Sequence, residues 1–116
     1  MKLLDCTLRD GGYYTNWSFD DDFVKRFIKS LSMTGIDIIE MGYKSPLKGG
    51  KYRKCNDSFI RDMVGDCKTD LAFMIDAKDF INGKVDVQLL KSIVKPSSKS
   101  PFTYCRLAIT PQQIKE

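Results

Sequence analysis

Arg9 and Asp10 stand side by side and run directly into Gly11-Gly12, at the end of a short apolar-rich stretch. Glu40 closes a second apolar run, Ile36-Asp37-Ile38-Ile39, and Asp76 closes a third, Leu71-Ala72-Phe73-Met74-Ile75. Arg106 lies within a fourth run and Thr110 just beyond it. Opposite charges side by side, with a further carboxylate at the end of the next run, support two kinds of chemistry. They can form an ion pair that ties strand ends together. Buried carboxylates beside an arginine can equally hold a divalent cation and stabilise an enolate. Other chemistries are closed, because the 116 residues contain no histidine. A Ser-His-Asp triad, a Cys-His dyad and an imidazole-bound metal site cannot be assembled within this chain. The cysteines at 6, 55, 67 and 105 form neither a CxxC pair nor a zinc-ribbon spacing.

The elements that must carry these residues alternate between two hydrophobic periods. Residues 2–8 read as a strand, stopped by a turn at Arg9-Asp10-Gly11-Gly12. Residues 18–33 read as an amphipathic helix with Phe19, Phe23, Phe27, Ile28 and Leu31 on one face. Ser18 is its expected N-cap, Asp20, Asp21 and Asp22 complement its dipole, and Gly35 ends it. A second strand over 36–41 leads into a glycine- and lysine-rich loop from Gly42 to Cys55. Asn56 or Asp57 then caps a short helix bearing Phe59, Ile60, Met63 and Val64. A third strand over 71–75, a helix over 86–94 and a fourth strand over 102–109 complete the series. Fourfold alternation of strand and helix predicts an α/β fold of about four parallel strands, with right-handed crossovers and helices covering the sheet. Near-continuous apolar strands fit burial on both faces.

Composition agrees with this class. A hydrophobic fraction of 42% and a charged fraction of 29% are those of a soluble globular chain. No apolar run approaches the roughly 20 residues of a membrane span. Met1-Lys2-Leu3-Leu4 reaches Asp5 without a secretory signal, so reduced thiols in a cytoplasm are expected. Thr110-Pro111-Gln112-Gln113 has the form of a helix start, with only three residues after it. The expectation is a chain cut as a further helix opens, and therefore a single partial domain over 1–116.

Leu4-Asp5-Cys6-Thr7-Leu8-Arg9-Asp10-Gly11-Gly12 resembles the first-strand signature of the DRE-TIM metallolyases, the HMG-CoA lyase-like barrels. Ile36-Asp37-Ile38-Ile39-Glu40-Met41-Gly42 places Glu40 where that group carries its name-giving glutamate. Cys105-Arg106-Leu107-Ala108 resembles its arginine-bearing fourth strand. Within the group, the 4-hydroxy-2-oxovalerate aldolase type fits the double glycine and Tyr13-Tyr14…Trp17 best. The resemblance implies the N-terminal half of a TIM (β/α)₈ barrel, since a whole one needs roughly 250 residues. It implies a metal-dependent aldolase or lyase acting on carbon–carbon bonds of a small-molecule 2-oxo acid. Arg9 and Glu40 would be catalytic, Asp10 would bind a divalent metal (Mn, Mg, Zn or Co), and Tyr13, Lys44, Asp76 and Arg106 would face substrate. The group's metal-binding His-x-His pair and the aldolases' histidine base are both absent from these residues. The first would fall beyond residue 116; Tyr13 or Tyr14 would need a strongly lowered pKa to replace the second.

Lys44, Lys48, Lys51, Arg53 and Lys54 crowd the loop after the second strand with no acidic residue among them. They could steer an anionic substrate, or form a solvated flexible loop. One short basic run is poor ground for nucleic-acid binding, and no such partner is expected. Trp17 with Phe19 reads as a lid or hydrophobic staple in preference to a substrate cage, and Cys6 and Cys105 as buried small hydrophobes. The competing reading is an inactive small α/β binding or interaction module that keeps a remnant of the site. On the first reading the 116 residues alone are inactive, lack the C-terminal half of the barrel as partner, and self-associate through exposed edges.

Overall fold

A computed structural model describes residues 1–115. In chain order the elements are β1 (Leu4–Asp5), α1 (Thr7–Thr15), α2 (Asp21–Ser32), β2 (Ile38–Tyr43), α3 (Lys51–Lys54), α4 (Asp57–Val64) and β3 (Asp70–Asp76). A 3₁₀ turn over Ala77–Phe80, β4 (Ile81–Asn82), β5 (Lys84–Val85), α5 (Val87–Ile93), a 3₁₀ turn over Ser97–Lys99, β6 (Tyr104–Ala108) and a 3₁₀ turn over Gln113–Lys115 follow. Strands β1, β2, β3 and β6 pair in that order, every pair parallel, with helices between them. The α/β fold of four parallel strands is therefore as expected. The small antiparallel hairpin β4–β5 was not foreseen. No helix among the described residues is long and apolar enough to cross a membrane.

The largest departure is at the start. Arg9, Asp10, Gly11 and Gly12 lie inside α1, not in a turn. Asp5 launches this helix, its carboxylate accepting hydrogen bonds from the Thr7 N–H and hydroxyl at 3.0 Å each. Two internal glycines cost a helix about 1 kcal/mol each relative to alanine. Tertiary packing overrides that cost. A Cβ on Gly12 would sit 2.0 Å from Trp17 Cδ1, so only glycine lets the indole lie against the helix. The chain then turns back through Asn16 and Trp17, both left-handed (φ 52° and 53°), and the Trp17 N–H closes onto the Gly12 carbonyl at 2.9 Å.

Helix α2 is capped by Asp20, which accepts from the Phe23 N–H, and not by Ser18. Val24 and Ile28 form its buried face, while Phe23 is half-exposed and stacks on Phe27. Asn56, one of the two expected candidates, caps α4, and Asp86, expected within the helix, caps α5 instead. The core lies between the sheet and its helices. Ile39 and Met41 of β2 and Leu71, Phe73 and Ile75 of β3 meet Val24 and Ile28 of α2 and Ile60 and Met63 of α4. Burial on both faces holds for all six residues of β2. It fails for the edge strand β6, where Cys105 and Leu107 are exposed although they neighbour the core residues Phe73 and Ile75. Cys105 is thus not the buried hydrophobe expected, and Cys6 is only partly buried.

Strand β2 extends through Gly42 to Tyr43, so Glu40 lies mid-strand. Its register with β3 changes on the way: Glu40 pairs with Ala72, yet Tyr43 pairs with Met74. One extra residue on β2 is a β-bulge. It brings Tyr43 onto the same face as Glu40, because Ala72 and Met74 share a face. Gly42 permits the bulge, since a Cβ there would meet the Tyr52 carbonyl oxygen at 2.0 Å. At the far end, the expected helix start is a single 3₁₀ turn. The Thr110 N–H donates to Gln113 Oε1 at 2.8 Å, the glutamine half of a capping box. Glu116, the last residue of that expectation, lies outside the described residues.

Candidate active site

Glu40 has no exposed surface and alternates along β2 with Ile39 and Met41, which face α2 and α4. Two guanidinium groups converge on it from different elements. Arg9 of α1 donates through Nε to Glu40 Oε1 at 2.8 Å. Arg106 of β6 donates through Nη1 to Oε1 at 3.1 Å and to Oε2 at 3.0 Å. Arg9 Nη1 also pairs with Asp10 Oδ1, and Asp10 Oδ2 accepts a weak hydrogen bond from Cys6 Sγ at 3.4 Å. Burial opposes the Arg9 charge, but the hydrogen bond and charge of Glu40, with Asp10 behind them, outweigh it and raise the guanidinium pKa further. Arg9 is a permanent cation at the carboxyl ends of parallel strands, where α/β folds gather their functional groups.

Across Trp17 from Arg9 lies a cavity of about 60 Å³, bordered by Tyr13, Trp17, Tyr43, Arg53, Asp76 and Lys78. The Tyr13 and Tyr43 hydroxyls are hydrogen-bonded at 2.7 Å. The Trp17 ring meets both tyrosines edge-on, with centroids 4.8 and 5.6 Å away, and its Nε1–H donates to the Arg9 carbonyl at 3.1 Å.

No family model matches the sequence. A curated relative, the oxaloacetate decarboxylase of Mycobacterium tuberculosis (strain ATCC 25618 / H37Rv), is 44% identical over 41 residues, 35% of this chain and 12% of that protein. Among solved structures, the N-terminal domain of a "putative aldolase" from Bacteroides vulgatus superposes with a TM-score of 0.84 at 32% identity. That match covers 99% of this chain and 38% of the other. The likeness is to aldolase-type lyases. This chain spans only about an eighth of the decarboxylase and well under half of the solved domain.

Of the residues singled out in the sequence, Arg9, Asp10, Glu40 and Arg106 come together, and Tyr13 and Asp76 border the cavity. Asp76 also caps the following 3₁₀ turn, accepting from the Lys78 N–H at 3.1 Å and pairing with Lys78 Nζ at 3.0 Å. Lys44 is placed differently. It is 3% exposed, bonds Asp57 at 2.7 Å, and lies over the Phe73 and Phe102 rings at 5.4 and 5.3 Å. That is a buried structural pair, not a cation held out to a substrate. Nor is the basic segment a free loop. Lys51 pairs with Asp21 at 3.2 Å, Arg53 lies over Trp17 at 4.9 Å, and Lys54 donates to the Pro46 carbonyl at 3.2 Å. Trp17 is neither lid nor staple but a buried post between Arg9, Arg53 and the tyrosines.

Tyr43 was not found from the sequence. Its only signal was the glycine before it, and the bulge that re-aims it depends on pairing with β3. The donor set does not make a metal centre. Among the described residues no three of Asp, Glu, Cys and His converge to hold an ion. Asp10 is one exposed carboxylate with one oxygen on Arg9.

Proposed function

We propose that this chain supplies the arginine–glutamate part of the active site of a carbon–carbon lyase, aldolase or decarboxylase in type, that acts on 2-oxo acids through an enolate. The observation that carries the reading is the pair of guanidiniums held on one buried carboxylate, with Arg9 just beyond the carboxyl end of β1. Breaking a bond beside a carbonyl leaves an electron pair that moves onto oxygen. A fixed cation there stabilises the developing charge without reorganising when it forms. Glu40 holds Arg9 through Nε. Among the described residues Arg9 Nη2 donates to no protein acceptor, which leaves an N–H for the oxyanion. Arg106, 44% exposed, offers a second cation to the substrate carboxylate.

The finer assignment is to the DRE-TIM metallolyases, with residues 1–116 as one partial domain, the N-terminal half of a (β/α)₈ barrel. Sequential parallel pairing and the 38% coverage of the solved domain support it. In this reading Asp10 is a single ligand of the implied divalent ion, and the other ligands come from residues beyond these. Four free cysteines fit a reducing cytoplasm.

The test is turnover of oxaloacetate and of a 4-hydroxy-2-oxo acid by the full-length protein that carries this chain, with Mn²⁺ present. Arg9→Ala is expected to lower kcat by about 10²–10³-fold, the scale for losing one oxyanion donor. Turnover unchanged by Arg9→Ala, or no turnover of either acid by the wild type, overturns the reading.

A further inference from the structure

An enolate becomes the keto product on the enzyme only when its carbon is protonated there, and the residues assigned above cannot supply that proton. Arginine does not give up its proton in proteins. Glu40 is already acceptor to both guanidiniums, Asp10 is bound to Arg9, and the chain has no histidine. We propose that Tyr43, held by Tyr13, is the catalytic proton donor to the enolate carbon, with Tyr13 relaying the replacement proton from solvent. The inference rests on the lyase reading and names a group that reading leaves open.

Three observations place it. The bulge in β2 puts Tyr43 on the Glu40 face, one step nearer the carboxyl end of the sheet. Its hydroxyl meets that of Tyr13 at 2.7 Å beside a cavity that Trp17, bonded to the Arg9 carbonyl, also lines. The two phenols differ in environment: Tyr43 is 8% exposed and Tyr13 61%. The charged groups around Tyr43 are Arg9 of α1, Asp76 of β3, Arg53 of α3, and Lys78 and Asp79 of the 3₁₀ turn. Burial first, then the bond to Tyr13, raises the Tyr43 pKa against the opposing pull of Arg9. The phenol therefore stays protonated at neutral pH, the form that gives its proton to the enolate, and the phenolate left behind takes a proton back in the reverse, exchange direction.

The step balances without any further reactant. Carbon–carbon cleavage leaves its electron pair in the enolate. The enolate carbon takes the Tyr43 phenolic proton, a C–H bond forms and the carbonyl returns. The Tyr43 phenolate then takes the Tyr13 proton across their hydrogen bond, and water restores Tyr13.

The experiment follows two signals by NMR in D₂O with the full-length protein: loss of oxaloacetate, and deuterium exchange into the methyl group of pyruvate. Tyr43→Phe is expected to slow exchange about a hundredfold, the lower range for general acid catalysis, and to slow oxaloacetate loss by a smaller factor, because cleavage precedes the protonation and enolpyruvate can leave before it. Tyr13→Phe, at an exposed position where folding is safe, is expected to slow exchange by about tenfold, less than loss of the donor itself. Arg9→Ala should suppress both signals. Exchange unaltered in Tyr43→Phe while Arg9→Ala abolishes it overturns the donor and leaves the lyase reading intact. Should Tyr43→Phe fail to fold, unaltered exchange in Tyr13→Phe overturns the relay. Absence of both signals in the wild type overturns the lyase reading and the donor with it.

Discussion

Glu40 shows how one buried charge comes to depend on residues far apart in the chain. Its carboxylate is compensated by Arg9, 31 positions before it, and Arg106, 66 positions after it. Glu40→Gln removes the buried negative partner and leaves the Arg9 guanidinium, only 14% exposed, with the exposed Asp10 as its remaining carboxylate. The expected cost is about 3 kcal/mol in urea unfolding. Arg106→Ala, at a side chain open to water, should cost less than about 1 kcal/mol. Alkaline pH offers a second check. Burial is the leading cause that raises the pKa values of Tyr43, Tyr52 and Cys55. Below their unfolded values, about 8.5 for thiol and 10 for phenol, these groups are neutral in both states. Above them the unfolded chain loses protons that the folded chain keeps, so stability should fall as pH rises from about 8.5 through 10. Thermal unfolding across that range measures it. The sequence revealed Arg9, Asp10 and Glu40 because each follows or sits in an apolar run. It misplaced Lys44 because its partners, Asp57, Phe73 and Phe102, come from three later elements.

Among the elements, α1 was least legible. Gly11-Gly12 is a local turn signal, and Trp17, five residues beyond Gly12, reverses it by packing where a side chain would stand. Gly12→Ala would be favoured by helix propensity alone. It should instead destabilise by about 1–3 kcal/mol, because the indole has to move. Trp17 is the sole tryptophan, so its fluorescence reports the displacement directly as a red shift on exposure. The helices over 57–64 and 87–93 were legible because their caps act within a few residues. Asn56 Oδ1 accepts from the Ser58 N–H at 3.1 Å, and Asp86 Oδ1 from the Leu89 N–H at 2.9 Å. Asn56→Ala should cost about 1 kcal/mol, read by the same urea titration. The β2 bulge was invisible for the opposite reason, since strand register is a property of two strands together.

For the molecule as a whole, strand alternation predicted the parallel sheet, and no local pattern could show which faces lie open. β1 and β6 each have one unpaired edge in the four-stranded sheet, and Leu107, Ile109 and Ile114 are exposed near β6. Open edges of this kind template further pairing. Sedimentation of the 116-residue chain should show mass rising with concentration, and a constant monomer mass would count against this. With one exposed carboxylate as its contribution, the same chain should leave the Mn²⁺ electron paramagnetic resonance signal unquenched at micromolar concentrations. The order β1-β2-β3-β6 has a further consequence, for synthesis on the ribosome. Within this sheet each strand pairs with the member translated before it, the β4–β5 hairpin standing apart, so the sheet extends vectorially and no later segment has to wedge between strands already joined. Such nearest-neighbour assembly keeps the search for partners short and lets every emerging strand find its template finished.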